Sequence, residues 1–278
     1  MKNKFILLAL GLLIMSCSND DNSNNTAEVT EEVIVDESGN TPPDEGSPDY
    51  MQDTNGNFWV YETQSIQGDG RDSLYIANDT VINNVSHKKY KTGQPATGFY
   101  STMLTGGAVR KSDGKVMVTG NLNLDAGMGM PLNINLENFI IYDENAGANQ
   151  QLSINNGTVN QEIEGMNVSI TYILSSQSKE IIGAYTGVQG KTYNDVKPVE
   201  IRLKMQINVN YSGFVIPILP MQDVLISTQY YSADTGAVHI MSDLQYEFTD
   251  MSGFGVELPV PQTGSVQQQE ILVNHKIQ

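Results

Sequence analysis

Ile201, Leu203, Met205, Ile207, Val209 and Tyr211 alternate without a break against Arg202, Lys204, Gln206, Asn208 and Asn210. No other stretch constrains the chain so tightly. A period of two puts the apolar side chains on one face of a strand and the polar ones on the other. At ~3.3 Å per residue the run covers roughly 35 Å, well beyond the usual strand length. Shorter copies of the pattern recur. Leu132, Ile134 and Leu136 alternate with Asn133, Asn135 and Glu137; Val168, Ile170 and Tyr172 with Ser169 and Thr171; Leu244, Tyr246 and Phe248 with Asp243, Gln245 and Glu247. A sheet with one dry face must curl, pair with a second sheet, or hold something apolar.

Between these runs lie residues that tolerate positive φ: Asn83-Asn84, Asp113-Gly114, Asn155-Asn156-Gly157 and Asp234-Thr235-Gly236, each read as a turn. Pro217 and Pro220 interrupt the apolar run from Phe214 to Met221, which reads as a loop or crossover. After Cys17 no segment keeps a helical period over three turns. The expected fold is all-β: an antiparallel meander forming a strongly curved sheet or half-open barrel, with a two-sheet β-sandwich as the alternative. Residues 57–278 fall within the size of one such domain. The stretch from Asp143 to Asn149 is the best candidate for an internal seam.

The first residues read differently. Lys2 and Lys4 precede an apolar run from Phe5 to Met15 that covers only about half a bilayer core. A charged start, a short apolar core and a small residue at the cut describe a secretory signal over residues 1–16. Ile14-Met15-Ser16-Cys17 resembles the lipobox of bacterial lipoproteins. The resemblance implies a diacylglycerol on the Cys17 sulfur, cleavage before Cys17 and acylation of the new amine. Each buried methylene contributes ~0.8 kcal/mol, so several chains make a stable anchor. Cys17 is the only cysteine, so no disulfide can form within one molecule.

From Ser18 to Tyr50 there are ten Asp or Glu, no Lys or Arg and three of the ten prolines. Such a segment has little to bury, and residues 17–56 are expected to form an extended, disordered tether. Val33-Ile34-Val35 within it has the composition of a short strand. The run Ser18-Asn19-Asp20-Asp21 after Cys17 resembles the acidic export signals of Bacteroidota surface lipoproteins. It implies an outer-membrane anchor facing the cell surface; a plain spacer, with the anchor facing the periplasm, is the alternative. The net charge is −17, and removing Lys2 and Lys4 with the signal would make it −19. Such a surface repels phosphate backbones, which argues against nucleic acid and leaves the lipid as the membrane attachment.

Two further stretches carry resemblances. Gly56-Asn57-Phe58-Trp59-Val60-Tyr61-Glu62 with Asp72-Ser73-Leu74-Tyr75-Ile76 is similar to the first strands of Bacteroidota lipoproteins. Tyr230-Tyr231-Ser232-Ala233-Asp234-Thr235-Gly236-Ala237-Val238 resembles a late hairpin of envelope proteins related to the Lol-type lipoprotein carriers. That likeness implies a half-open barrel, which in the carriers shelters acyl chains on its concave face.

A search for chemistry finds no G-x-S-x-G, no H-E-x-x-H and no phosphate loop. Gly127-Met128-Gly129-Met130 leads into Pro131 and a strand rather than a helix. His87, His239 and His275 are scattered and lack cysteine partners, so no metal or other cofactor is expected. Asp53-Thr54-Asn55-Gly56-Asn57 has alternating oxygen ligands, but its glycine comes too early for a calcium loop, and a turn is the better reading. Carboxylates abound without a spacing that selects two of them, so a hydrolase is only a third reading. Met103, Met117, Met128, Met130, Met166, Met205, Met221, Met241 and Met251 suit either core packing or an adaptable apolar surface. Trp59, Tyr61, Tyr75, Tyr230 and Tyr231 suit either core or stacking on sugars. The expectation is a non-catalytic lipoprotein that binds an apolar or amphiphilic ligand or an envelope partner. The alternative is a structural or glycan-binding module of an outer-membrane complex.

Overall fold

A computed structural model of the protein describes residues 49–125, 131–163, 166–211, 213–251 and 261–278. Cys17, the export run Ser18–Asp21 and most of the tether lie outside the described residues. In chain order the strands are β1 (Phe58–Ser65), β2 (Gly70–Ile82), β3 (Val85–Thr92), β4 (Gly107–Ser112), β5 (Lys115–Asp125), β6 (Pro131–Asp143), β7 (Gln151–Ile163), β8 (Met166–Ser178), β9 (Ile182–Thr186), β10 (Thr192–Tyr211), β11 (Phe214–Ser232), β12 (Gly236–Glu247) and β13 (Thr263–Lys276). One helix, α1 (Phe99–Gly106), joins β3 to β4.

The strands form one antiparallel sheet in the order β6-β5-β4-β3-β2-β1-β13-β12-β11-β10-β8-β7, and β9 pairs with the start of β10. The sheet is a half-open barrel rather than a sandwich. Its first and last strands are neighbours, running from Phe58 opposite Lys276 to Ser65 opposite Gln268. The break therefore falls in mid-chain, between β6 and β7. Side chains cross it: Asn155 donates its amide to the Asn135 carbonyl at 2.8 Å, and the Ser176 hydroxyl donates to the Ile140 carbonyl at 2.5 Å. The segment expected as a seam is thus the connection between the two edges of the barrel.

Alternation decides what faces inward. Ile201, Leu203, Met205, Ile207 and Val209 are all buried on β10, as are Leu132, Ile134 and Leu136 on β6. On β12 and just after it, Tyr246 and Phe248 follow the same rule. Asn83-Asn84 and Asp113-Gly114 turn with positive φ at both residues, and Asp234 and Gly236 do so at the β11–β12 turn. The β3–β4 ladder is short, with Lys88 opposite Val109. Helix α1 packs beside it and contributes Tyr100, Met103 and Leu104 to the core.

Three expectations are corrected. Phe214–Met221 is not a loop: β11 runs through both prolines. Pro217 lies opposite Asn208 in a ladder with register shifts, and the β12 ladder begins only at Leu225. The missing N–H groups therefore fall where the β10–β11 ladder shifts register, at bulges, where proline is tolerated. Asn155-Asn156-Gly157 is not a turn but the middle of β7. A Cβ on Gly157 would lie 2.8 Å from the Tyr172 hydroxyl, so this glycine serves close packing. Finally, residues 49–56 belong to the barrel, not to the tether. Tyr50 and Met51 are buried in its core, and Asn57 N–H bonds to the Thr54 carbonyl in the expected turn.

Candidate functional site

The end where Asp49 enters is filled. Tyr50 stacks on Tyr142 at 5.7 Å, Tyr142 meets Tyr231 at 4.9 Å, and Tyr100 stands edge-on to both Tyr231 and Tyr61. Trp59 stacks on Tyr90 and donates its indole N–H to the Thr235 carbonyl at 2.6 Å. The Tyr61 hydroxyl donates to the Ala237 carbonyl. Loss of hydration on burial is the main cause holding the Tyr90 and Tyr142 hydroxyls far above the usual phenol range. Asp49 ties the entering segment down through Lys111 at 2.5 Å, and its carbonyl accepts the Asp234 N–H.

Farther along the same strands, short of the buried Met205, Ile207, Leu219, Tyr246 and Phe248, the interior is hollow. A cavity of about 480 Å³ is walled by Leu203 of β10, Val224 and Leu225 of β11, Leu244 of β12 and Val266 of β13, with Leu124 and Phe99 across from them. Its polar lining comes from Gln67, Thr97, Thr102, Asn123, Ser242 and Gln268. Leu203, Leu225, Leu244 and Val266 face one another because they are register partners across four adjacent strands. The volume suits a small ligand, and the lining is of the kind that holds one: apolar walls with a few polar groups.

One wall of the cavity is the start of α1, and its docking is unusual. Gly98 caps the helix without a side chain of its own. The barrel supplies the acceptors instead. Asp72 of β2 accepts the Thr97 N–H at 2.9 Å and the Gly98 N–H at 2.8 Å. Gln268 of β13 accepts the Phe99 N–H at 3.2 Å. Glu270 of β13 accepts the Tyr100 N–H at 2.7 Å and the Ser101 N–H at 3.3 Å. Five successive amides are thereby bonded to wall side chains. A Cβ on Gly98 would overlap the Glu270 carboxylate, so no larger residue fits there without displacing it. Both carboxylates are buried, at 1 % exposure each. Burial pushes Glu270 up to about 7; the helix N–H groups pull it down, and the nearby Asp72 charge adds to the rise.

The residues singled out in the sequence are distributed otherwise. Trp59, Tyr61 and Tyr231 are core, so they present no stacking surface, whereas Tyr75 is exposed on β2. Tyr230 is half-buried on the outer wall, stacked on Tyr185 at 4.6 Å and on His239. The Tyr185 hydroxyl pairs with His239 Nδ1, and burial lowers the His239 pKa. His239 and His275 both line a smaller outer hollow of about 230 Å³, while His87 is buried elsewhere, beside the Val85 carbonyl. Among the described residues no cluster of His, Cys, Asp and Glu could hold a metal ion. Met103, Met117, Met205 and Met251 are core, and Met221 and Met241 are exposed. None of these six lines the cavity. Met128, Met130 and the Met166 side chain lie outside the described residues.

Sequence reasoning missed Asp72 and Glu270, although a signal was there. Each falls on the apolar parity of its strand, Asp72 in phase with Leu74 and Ile76, and Glu270 with Val266 and Leu272. A carboxylate on a dry face needs buried donors. No protein-family model, curated protein or solved structure matches the chain.

Proposed function

We propose that the protein is a lipid-anchored, non-catalytic envelope lipoprotein whose barrel holds an apolar or amphiphilic ligand in its cavity. The observation that carries this reading is the cavity of about 480 Å³ behind Leu203, Leu225, Leu244 and Val266. Apolar surface in a cavity open to water is unfavourable, and a ligand that covers it gains roughly 25 cal/mol per Å². Packed core on either side, around Tyr231 and around Phe248, confines the ligand to this part of the barrel. Anchoring through Cys17 on the outer membrane, with Ser18–Asp21 directing it to the cell surface, would hold the barrel near a source of such molecules.

The test uses the full chain carrying Cys17→Ala, which on this reading is unlipidated. N-phenylnaphthylamine, an uncharged apolar dye, should bind saturably and be displaced by lauroylglycerol. Leu244→Arg should abolish binding while the thermal midpoint shows the barrel still folded. Absence of saturable dye binding, together with no lipid co-purifying from envelopes, would overturn the reading. The anchor has its own test. Cys17→Ala should lose labelling by a palmitate analogue, and alanine at Asp20 and Asp21 should remove protease accessibility on intact cells. Label retained in the first variant contradicts the anchor, and unchanged accessibility in the second contradicts surface export.

A further inference from the structure

Resting on the ligand-binding reading, we infer that the cavity selects amphiphiles with an uncharged polar head and rejects anionic ones such as fatty-acid carboxylates. Two independent features lead there. The first is the lining itself. Among the described residues that wall the cavity there is no Lys, Arg, His, Asp or Glu, although the chain has 15 basic and 32 acidic residues. A charged head drawn into such a site would lose hydration without gaining a counter-charge, and isolated buried charges are strongly penalised. The uncharged groups at the polar side, Gln67, Thr102 and Asn123, bring amides and a hydroxyl that suit hydroxyl, ester or amide heads.

The second feature is the start of α1. A helix N-terminus beside a cavity normally attracts anions, because its free N–H groups and its dipole both favour negative charge. Here those groups are taken. Asp72, Gln268 and Glu270 accept the N–H groups of residues 97–101, so the protein's own carboxylates occupy the place an anionic head would seek. An incoming carboxylate would instead meet buried Asp72 and Glu270 behind the wall. Thr97, Gly98 and Gln268 belong to both the clamp and the cavity lining, which ties the two features together.

Competition for N-phenylnaphthylamine on the full Cys17→Ala chain tests this with lauroylglycerol and laurate, which share one acyl chain. At about pH 8 laurate is ionised, as free carboxylates are well above their ordinary range. Lauroylglycerol should displace the dye at least about tenfold more tightly than laurate, a gap of roughly 1.4 kcal/mol. Placing a cation at the rim should narrow the gap by improving laurate alone. Thr102→Lys does this on α1 and Asn123→Lys at an exposed position of β5, so a folding defect in one leaves the other informative. Equal displacement by both ligands overturns the selectivity while leaving the ligand-binding reading in place. Tighter laurate binding in the unmodified rim also overturns it. Saturable dye binding that neither ligand displaces overturns the selectivity alone, and absence of dye binding with no lipid co-purifying from envelopes overturns both.

Discussion

At the end where Asp49 enters, rings meet rings: Tyr50 on Tyr142, Tyr142 on Tyr231, Tyr231 on Tyr100 and Tyr100 on Tyr61. Farther along, Leu203, Leu225, Leu244 and Val266 line space, and beyond them Tyr246 and Phe248 pack again. The same strands build both regions. On β11, Tyr231, Gln229, Ser227 and Leu225 point inward in succession, and the inward residue changes from a ring to a small or branched side chain along its length. On β12 the inward Ile240 and Ser242 lead to Leu244, and the rings return beyond it at Tyr246 and Phe248. Strand pairing thus sets the barrel, and side-chain volume decides where along it the interior is solid. A period of two reveals a dry face, whereas filling depends on volumes summed over strands far apart in sequence.

From this contrast, the largest loss of stability should come from the solid end. Tyr231→Ala removes a fully buried ring that touches two others and donates to Gln229 at 2.6 Å. The expected cost is about 3–5 kcal/mol, read from urea unfolding. A cost below about 1 kcal/mol would mean that this end is not close-packed.

The clamp between these two regions should show in pH dependence. Glu270 is held at about 7, above its ordinary value of 4.5. A raised carboxyl binds its proton more tightly in the folded state, so its contribution is fully present below about 4.5 and is lost as pH rises through about 7. The difference amounts to at most about 3 kcal/mol. Glu270→Gln should flatten the unfolding profile across that window. A slope unchanged in the variant would assign the pH dependence to other groups. Next in size, Gly98→Ala should cost about 1–3 kcal/mol, because its methyl displaces the Glu270 carboxylate from the helix. A neutral substitution there, measured by thermal unfolding, would show that the helix start can shift without cost.

How much of this was legible depends on whether the signal is local. The inward face of β10 and the turns at Asn83-Asn84 and Asp113-Gly114 follow from alternation and from backbone preferences, and all three appear where expected. Pro217 and Gly157 misled for one shared reason. Each carries a meaning set by a neighbour in space, a bulge against β10 for the proline and the Tyr172 ring for the glycine. Helix α1 has only eight residues, too few for a period to emerge, and its start is capped by β2 and β13 rather than by its own sequence. The cavity wall joins β10, β11, β12 and β13 through register partners that no single window of sequence contains. Asp72 and Glu270 stood on the apolar parity and so were readable as buried. Their common partner, the start of α1, was not.

The smallest effect should come from the hollow, and it sharpens the contrast most directly. Leu244 is only partly buried and already faces open space. Leu→Ala in a tight core costs about 2–5 kcal/mol, part of it for the cavity left behind. At Leu244 the space exists before the substitution, so only transfer of a partly exposed side chain is lost. Leu244→Ala should therefore cost under about 1.5 kcal/mol, less than the full transfer of the methyl and methine groups it removes. The same variant should change dye binding more than stability, since the wall is shortened where a ligand would lie. A loss comparable to that of Tyr231→Ala would make the two regions alike, and the hollow would then be a chance gap in the core rather than a place built to be filled.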